Sequence, residues 1–362
     1  MGFMKGRVLI SVMYLLVCPF LSSCLNDEPI KLAYKDFTPM ALNDDWQIAS
    51  PETENVNRNK LEKAFGLVYN EQRYVMAKSL LIFRNGKLIA EAYPNDPEDI
   101  RKYNNIQSCT KSITAMLMGV AIHQNLIPSL DGKLYDIYPD LFDGDVVKRD
   151  ITIEDALTMR SGIDFRNDKH TQKLYSTTNN STAYVLSLHR KSTPGTAVQY
   201  NDGDPHLISK TIEIKSGKSL ADFANEHVFQ KLGITNWQWE SAIDGTTFGA
   251  FSLFLTARDL GKIGQLLLQN GTWENEQIVD ASYLQSAVSK HVSSDLNDKP
   301  YGYYFWVYPQ WNAYAALGHG GQFLFVAPDK NLVIVYTAWP YTGYDLWDDG
   351  EELMSIIYES CE

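Results

Sequence analysis

Asn104–Gln124 reads NNIQSCTKSITAMLMGVAIHQ, polar at its start and apolar after it. Ile113, Met116, Leu117, Val120 and Ala121 recur at helical spacing, so the stretch predicts a helix with a buried face. Ser108 and Lys111 stand three residues apart at its N-terminal end, which puts them on one face with Cβ atoms about 5–6 Å apart. A serine hydroxyl becomes a nucleophile there if the neighbouring amine accepts its proton, and burial is one way a lysine loses its charge. The helix N-terminus adds backbone N–H groups able to hold a developing oxyanion. This is the only S-x-x-K in the chain. An ordinary buried helix with a polar first turn would be written in the same letters, so the rest of the chain has to decide.

Residues 1–23 read as a secretory signal. Lys5 and Arg7 give a basic start, and Val8 to Phe20 is almost wholly apolar but shorter than a membrane span requires. The run ends in Leu21-Ser22-Ser23-Cys24, which resembles a bacterial lipobox. That resemblance implies cleavage before Cys24, lipid on its sulfur and a membrane-anchored location in the cell envelope. Leu25 follows in place of an aspartate, which suits outer-membrane sorting. Plain cleavage elsewhere, with Cys24 incidental, is the alternative. Residues 24–58 read as a lipidated tether and irregular N-terminal segment, leaving 59–362 as a single domain.

Loss of the signal removes two positive charges and takes the net charge from −12 to −14. Nucleic acid is a poor partner for so acidic an export product. Only Cys109 and Cys361 remain beyond Cys18 and Cys24, so no disulfide framework is expected and the core must supply stability. No C-x-x-C, H-x-H or H-x-x-x-H pair occurs, and no metal or organic cofactor is implied.

Along the domain, Leu61 to Val68 predicts helix and Ser79 to Phe83 a strand, and Asn85-Gly86 turns it into a second strand, Leu88 to Tyr93. Ile127 to Asp150 is loop-rich. Thr152 caps a short helix with Asp155 three residues on, and Glu154 reads as a first-turn acid complementing the helix dipole. Further helices are expected at Thr182 to Leu188, Leu207 to Ile214, Ser219 to Leu232, Thr256 to Leu268 (capped by Thr256 and Asp259) and Glu351 to Glu362. Strands are expected at Tyr303 to Tyr308, Gln322 to Ala327 and Leu332 to Thr337. Strands at both chain ends with helices between predict an α/β (α+β) fold. An antiparallel sheet lobe (59–100 and 300–362) would meet a helical lobe (101–299), with the site at their junction.

Two more stretches complete a constellation. PGTAVQYNDGD (194–204) offers Tyr200 in a turn-rich setting, and GHGGQ (318–322) sets three glycines before a β run. With SCTKSITAMLMGVAI, ITIEDALTMRSGIDF, LTARDLGKIGQLLLQNG and GHGGQFLFVAPDKNLVIVYT in order, the chain resembles the serine β-lactamase and penicillin-binding-protein superfamily over about residues 60–340. The resemblance is closest to its class C-like branch, with esterase and 6-aminohexanoate-dimer hydrolase relatives. It implies Ser108 as nucleophile, Lys111 and Tyr200 as proton carriers, and Gly320 and Gly321 after His319 at the K-T-G element. It also implies an oxyanion hole from the backbone N–H groups of Ser108 and Gln322. Which of Lys111 and Tyr200 takes the serine proton stays open.

Two positions depart from the pattern. Asp202 stands where the family usually has an amide-donating Asn. An ionised Asp only accepts, and it would favour a charged Lys111. His319 replaces the lysine that β-lactamases and carboxypeptidases present to a substrate carboxylate. The resemblance therefore implies an exported serine hydrolase of a small or peptide-like ester or amide. The alternatives are a D-alanyl-D-alanine carboxypeptidase or β-lactamase, or an inactive relative that binds wall peptide. Substrate choice is expected in loops such as 163–180 and 286–300. Cys109 reads as a buried filler under the helix. The aromatic run Tyr301, Tyr303, Tyr304, Phe305 and Trp306 either lines a cleft or stacks on the sheet.

Overall fold

The computed structural model describes residues 31–341 and 347–362; the signal and Cys24 lie outside them. Its frame is an antiparallel sheet with eight strands among the described residues. These are β1 (Ala77–Arg84), β2 (Lys87–Ala92), β3 (Val292–Ser293), β4 (Pro300–Tyr301), β5 (Trp306–Tyr308), β6 (Ala313–Gly318), β7 (Gln322–Ala327) and β8 (Leu332–Ala338). Their order across the sheet is β2-β1-β8-β7-β6-β5-β4-β3. The last six strands are a meander, and the N-terminal hairpin closes it by pairing β1 with β8, Leu80 opposite Tyr336 and Ile82 opposite Ile334. Expectation and structure agree on an antiparallel sheet closed by both chain ends. Some details differ. β3, β4 and β6 lie where no strand was expected, and the strand expected from Tyr303 begins at Trp306, because Tyr304 takes a left-handed φ of +61°.

Helices cover both faces, so the central strands are buried throughout instead of alternating. The helices used below are α1 (Arg58–Asn70), α2 (Cys109–His123), α3 (Asn167–Ser176), α4 (Gly203–Ser216), α5 (Ala257–Leu268), α6 (Ala281–Ala287) and α7 (Trp347–Ser360). Successive residues of β7 show the two faces. A Cβ on Gly264 of α5 would lie 2.7 Å from Leu324, and one on Gly350 of α7 would lie 2.2 Å from Phe323. Glycine lets each helix approach the sheet that closely.

Residues 31–57, expected as irregular tether, lie against the domain. Glu91 N–H donates to Phe37 O (2.9 Å), Leu88 N–H to Gln47 O (2.9 Å) and Ala49 N–H to Leu88 O (3.2 Å). The strap thereby covers the free edge of β2. Phe37 stacks on Phe65 at 4.6 Å, and Trp46, which the sequence alone does not place, packs on Phe83 at 4.3 Å. Arg258 fastens the strap from inside, donating to Glu91 (2.6 Å), Asp44 (2.7 Å) and Met40 O (2.6 Å).

The helical part is built on α2, buried on almost every side. A Cβ on Gly119 would sit 2.6 Å from both Tyr283 and Val279, which allows α6 to cross closely. The caps expected at Thr152 and Thr256 both begin helices, at Ile153 and Ala257, and Thr152 forms a reciprocal box with Asp155. The helix expected through Leu232 instead stops at Ala224 and passes into a wider turn at Asn225–Phe229.

Candidate active site

Ser108 is the residue immediately before α2, where a serine ordinarily caps by accepting from a helix N–H. Its hydroxyl makes no such bond. It accepts instead from Lys111 Nζ at 2.8 Å. Gln107, just before it, has a left-handed φ of +50°, a strained choice for a side chain of that size, and Asn105 Oδ1 holds the turn by accepting from Gln107 N–H at 2.9 Å. Ser108 is half-buried, with Lys111 buried beneath it.

Lys111 Nζ donates to Ser108 Oγ, to Asp202 Oδ1 at 2.7 Å and to Ala250 O at 3.1 Å. It also lies 5.0 Å from the centre of the Tyr200 ring. Burial acts to lower the ammonium's pKa, but Asp202 and Tyr200 outweigh it and the net shift is upward. Lys111 is thus paired with a buried carboxylate that outweighs the discharging effect of burial. Asp202 does not point away. Its second oxygen accepts from Thr171 Oγ1 at 2.5 Å, and its backbone N–H donates to Asn167 Oδ1 at 2.9 Å.

Tyr200 is fixed from behind by the aromatic run. Its ring centre lies 6.2 Å from that of Tyr301 and 5.9 Å from that of Trp306. Tyr303, Tyr304 and Phe305 are buried as well, so the run stacks within the fold. Glu154 is a first-turn acid as expected, and it also accepts from Tyr303 OH at 2.8 Å.

His319, Gly320 and Gly321 form the turn between β6 and β7, with φ of +74° and +88° at the glycines. A Cβ on Gly318 would lie 2.5 Å from Ile106 O, and Cys109 Sγ donates to Gln322 O at 3.3 Å, so this turn abuts the start of α2. Cys109 is a buried filler with its thiol pKa pushed up by burial. The Gln322 side chain faces inward, donating to Ala338 O (2.9 Å) and accepting from Asn104 (2.9 Å), so only its backbone is available to a site. His319 is exposed.

Ser108, Lys111, Tyr200 and Asp202 therefore meet at one point, with the glycine turn beside α2. Sequence reasoning missed Thr171, Asn167 and the Ala250 carbonyl. The two loops expected to set substrate choice both reach the Tyr200–Asp202 stretch: α3 through Thr171 and Asn167, and 286–300 through Asp295 Oδ1, which accepts from Tyr200 N–H at 2.8 Å. Between them opens a cleft of about 690 Å³ bounded by Asp164, Arg166, Asn167, Tyr200 and Asp295. Of the clustered side chains, Tyr200 lines this cleft, so the cleft reaches the cluster through that residue.

The beta-lactamase family matches this sequence over residues 69–341. The chain belongs to the beta-lactamase family. No curated protein matches it significantly. Solved structures similar to this family member include a protein assigned as a 6-aminohexanoate-dimer hydrolase from Bacillus anthracis (17% identity, 92% of this chain and 90% of that one, TM-score 0.69). A family VIII carboxylesterase is similar at 17% identity over 86% of this chain and 98% of that one, with TM-score 0.70. A penicillin-binding-protein homologue from Caulobacter crescentus is similar at 14% identity over 83% and 97%, with TM-score 0.67. At such identities these likenesses establish the beta-lactamase/transpeptidase fold.

Proposed function

We propose that the chain is an exported, lipid-anchored serine hydrolase that cleaves a neutral ester or amide through an acyl-enzyme on Ser108. The observation that carries this reading is the contact of Ser108 Oγ with a buried Lys111 whose other protons go to Asp202 and Ala250 O. As Ser108 attacks the carbonyl carbon, Lys111 passes a proton to Asp202 Oδ1 and takes the one leaving Oγ. The lysine stays an ammonium and Asp202 ends protonated. Tyr200 gives its phenol proton to the departing alcohol or amine, and the ammonium under its ring steadies the phenolate. Water then attacks the acyl group, Tyr200 regains a proton, and Asp202 returns one through Lys111 to Ser108. The backbone N–H groups of Ser108 and Gln322 are the proposed oxyanion donors.

Asp202 bears on substrate differently from its sequence expectation. Both its oxygens are engaged by Lys111 and Thr171, so it neither donates to a substrate nor faces it as a bare anion. What remains is the histidine at 319, which supplies no permanent cation for a substrate carboxylate. That supports neutral esters and amides over penicillins and peptides with a free C-terminus.

A fluorophosphonate probe followed by intact-mass analysis tests the nucleophile: one adduct on the mature chain and none on Ser108→Ala is expected. Labelling that survives Ser108→Ala moves the nucleophile elsewhere. Turnover of a p-nitrophenyl ester should exceed that of a chromogenic cephalosporin, and the reverse order would transfer the reading to β-lactams. Lipid on Cys24 is checked by the mass of the mature N-terminal peptide, which an unmodified residue other than Cys24 would contradict.

A further inference from the structure

The carboxylate beside Lys111 is held by an element from outside the S-x-x-K and Tyr200–Asp202 stretches. Thr171 lies on α3, in the stretch between Asp164 and Asn180 where substrate choice is expected. Its hydroxyl donates to Asp202 Oδ2 at 2.5 Å while Oδ1 accepts from Lys111 at 2.7 Å. One residue type at 171 thus fixes which carboxylate oxygen faces the lysine. A second contact from the same helix, Asn167 Oδ1 on Asp202 N–H at 2.9 Å, pins the backbone of residue 202.

From this geometry we infer that Thr171 is a positioning residue for the Ser108 reaction, one that couples the seating of α3 to the proton-accepting oxygen of Asp202. The inference rests on the reading of Ser108 as the nucleophile. A proton arriving from Lys111 must land on Oδ1. With Oδ2 occupied by a donated hydrogen bond, the carboxylate plane is locked and Oδ1 is the open acceptor. Without the hydroxyl the carboxylate is free to rotate, Oδ2 loses its half-buried partner, and the Lys111 ammonium has two places to rest. α3 supports this use because it is lightly anchored, with Leu174 its only fully buried residue. Movement of α3 on substrate entry would therefore be felt at Asp202 with no contact between substrate and carboxylate. Tyr175, one turn on from Thr171, strengthens the clamp by hydrogen bonding Ser252, two residues past the Ala250 carbonyl that takes another Lys111 proton.

The test uses the mature chain with a p-nitrophenyl ester, comparing Thr171→Val, Thr171→Ser, Asp202→Asn and the Thr171→Val/Asp202→Asn double variant. Valine keeps the shape and removes the hydroxyl. A lost hydrogen bond to a charged group predicts a kcat about tenfold to a hundredfold lower, with KM unchanged. Thr171→Ser should recover most of it. In the Asp202→Asn background, the further change from Thr171→Val should shrink to within about threefold, since two residues acting through one group are not additive. A Thr171→Val enzyme with unaltered kcat, or the same loss with and without Asp202, overturns the inference. So does a loss confined to KM or melting temperature, which would make Thr171 a fastener of α3 alone. Ser108→Ala run alongside separates this failure from failure of the hydrolase reading, because only the latter leaves acyl transfer intact in that variant.

Discussion

Lys111 and Lys148 are both buried, 1% and 2% exposed, and each directs its ammonium protons at three oxygens. Lys148 meets Asp143 (2.6 Å), Leu186 O (2.6 Å) and Leu188 O (2.8 Å). Lys111 meets Asp202, Ala250 O and the Ser108 hydroxyl. Burial, a carboxylate and a full set of acceptors are common to the two, so none of these singles out Lys111 for the proposed catalytic role. The difference is one acceptor. Two carbonyls and a carboxylate leave Lys148 no proton to receive, whereas Ser108 is itself a donor set on a strained turn at the surface of the fold. One lysine ties a loop to the helix ending near Ser187, and the other is the proposed relay.

The strongest way to break this comparison is to remove each lysine in turn. Lys111→Met should lower ester turnover by on the order of 10⁴–10⁶, close to the loss in Ser108→Ala and not additive with it. Combining it with Asp202→Asn removes the stranded carboxylate and should restore thermal stability without restoring turnover. A double variant that turns over ester would show that Tyr200 alone suffices. Lys148→Met should do the opposite: about 1–3 kcal/mol less stable to urea, with carbonyls left unsatisfied, and kcat unchanged. Any large kcat loss there would erase the distinction.

A smaller effect sharpens it, from buried groups that stay neutral. On α4, burial raises Asp204 to about 7 and lowers His206 to about 4. The folded Asp204 holds its proton through a range where the unfolded chain has lost it, so its contribution to stability falls as pH rises from about 4 to about 7. The folded His206 refuses a proton that the unfolded chain takes up, so its contribution falls as pH drops from about 6.5 to about 4. The two slopes oppose each other in the shared range. Melting curves should therefore be flat from pH 4.5 to 6, Asp204→Asn should uncover acid lability, and His206→Gln should uncover a decline toward neutral pH. Parallel curves for all three proteins would contradict these assignments.

Where the chemistry is local, the sequence is legible. Ser108 and Lys111 are a helical turn apart, the Asn85-Gly86 hairpin and both threonine caps are short-range devices, and the ordered motifs place Tyr200 and the glycine turn. The Lys111–Asp202 pair spans 91 positions, so its sense, a clamp instead of a repelling charge, follows only from the fold. α3 escapes notice because NDKHTQKLYS buries a single leucine and shows no apolar stripe. Thr171 has no motif around it. The strap at 31–57 shows no periodic pattern, and the backbone bonds with β2 and the scattered contacts of Phe37, Trp46 and Asp44 that order it all join residues distant in sequence. β6 reads AYAALG, too small and too alanine-rich to look like a strand, yet it is central in the sheet.

The strap also sets a length. With Cys24 as the proposed anchor, the chain is fastened again at Lys31, whose ammonium donates to Val68 O (2.8 Å) and Glu71 O (2.7 Å) at the end of α1. Six residues lie between the two points, seven steps along the chain and a leash of about 25 Å at full stretch. Such a leash is shorter than the roughly 50 Å across that a compact domain of this length takes. An enzyme held that way works in a thin shell against the bilayer and meets what diffuses along the membrane face before what diffuses through the bulk.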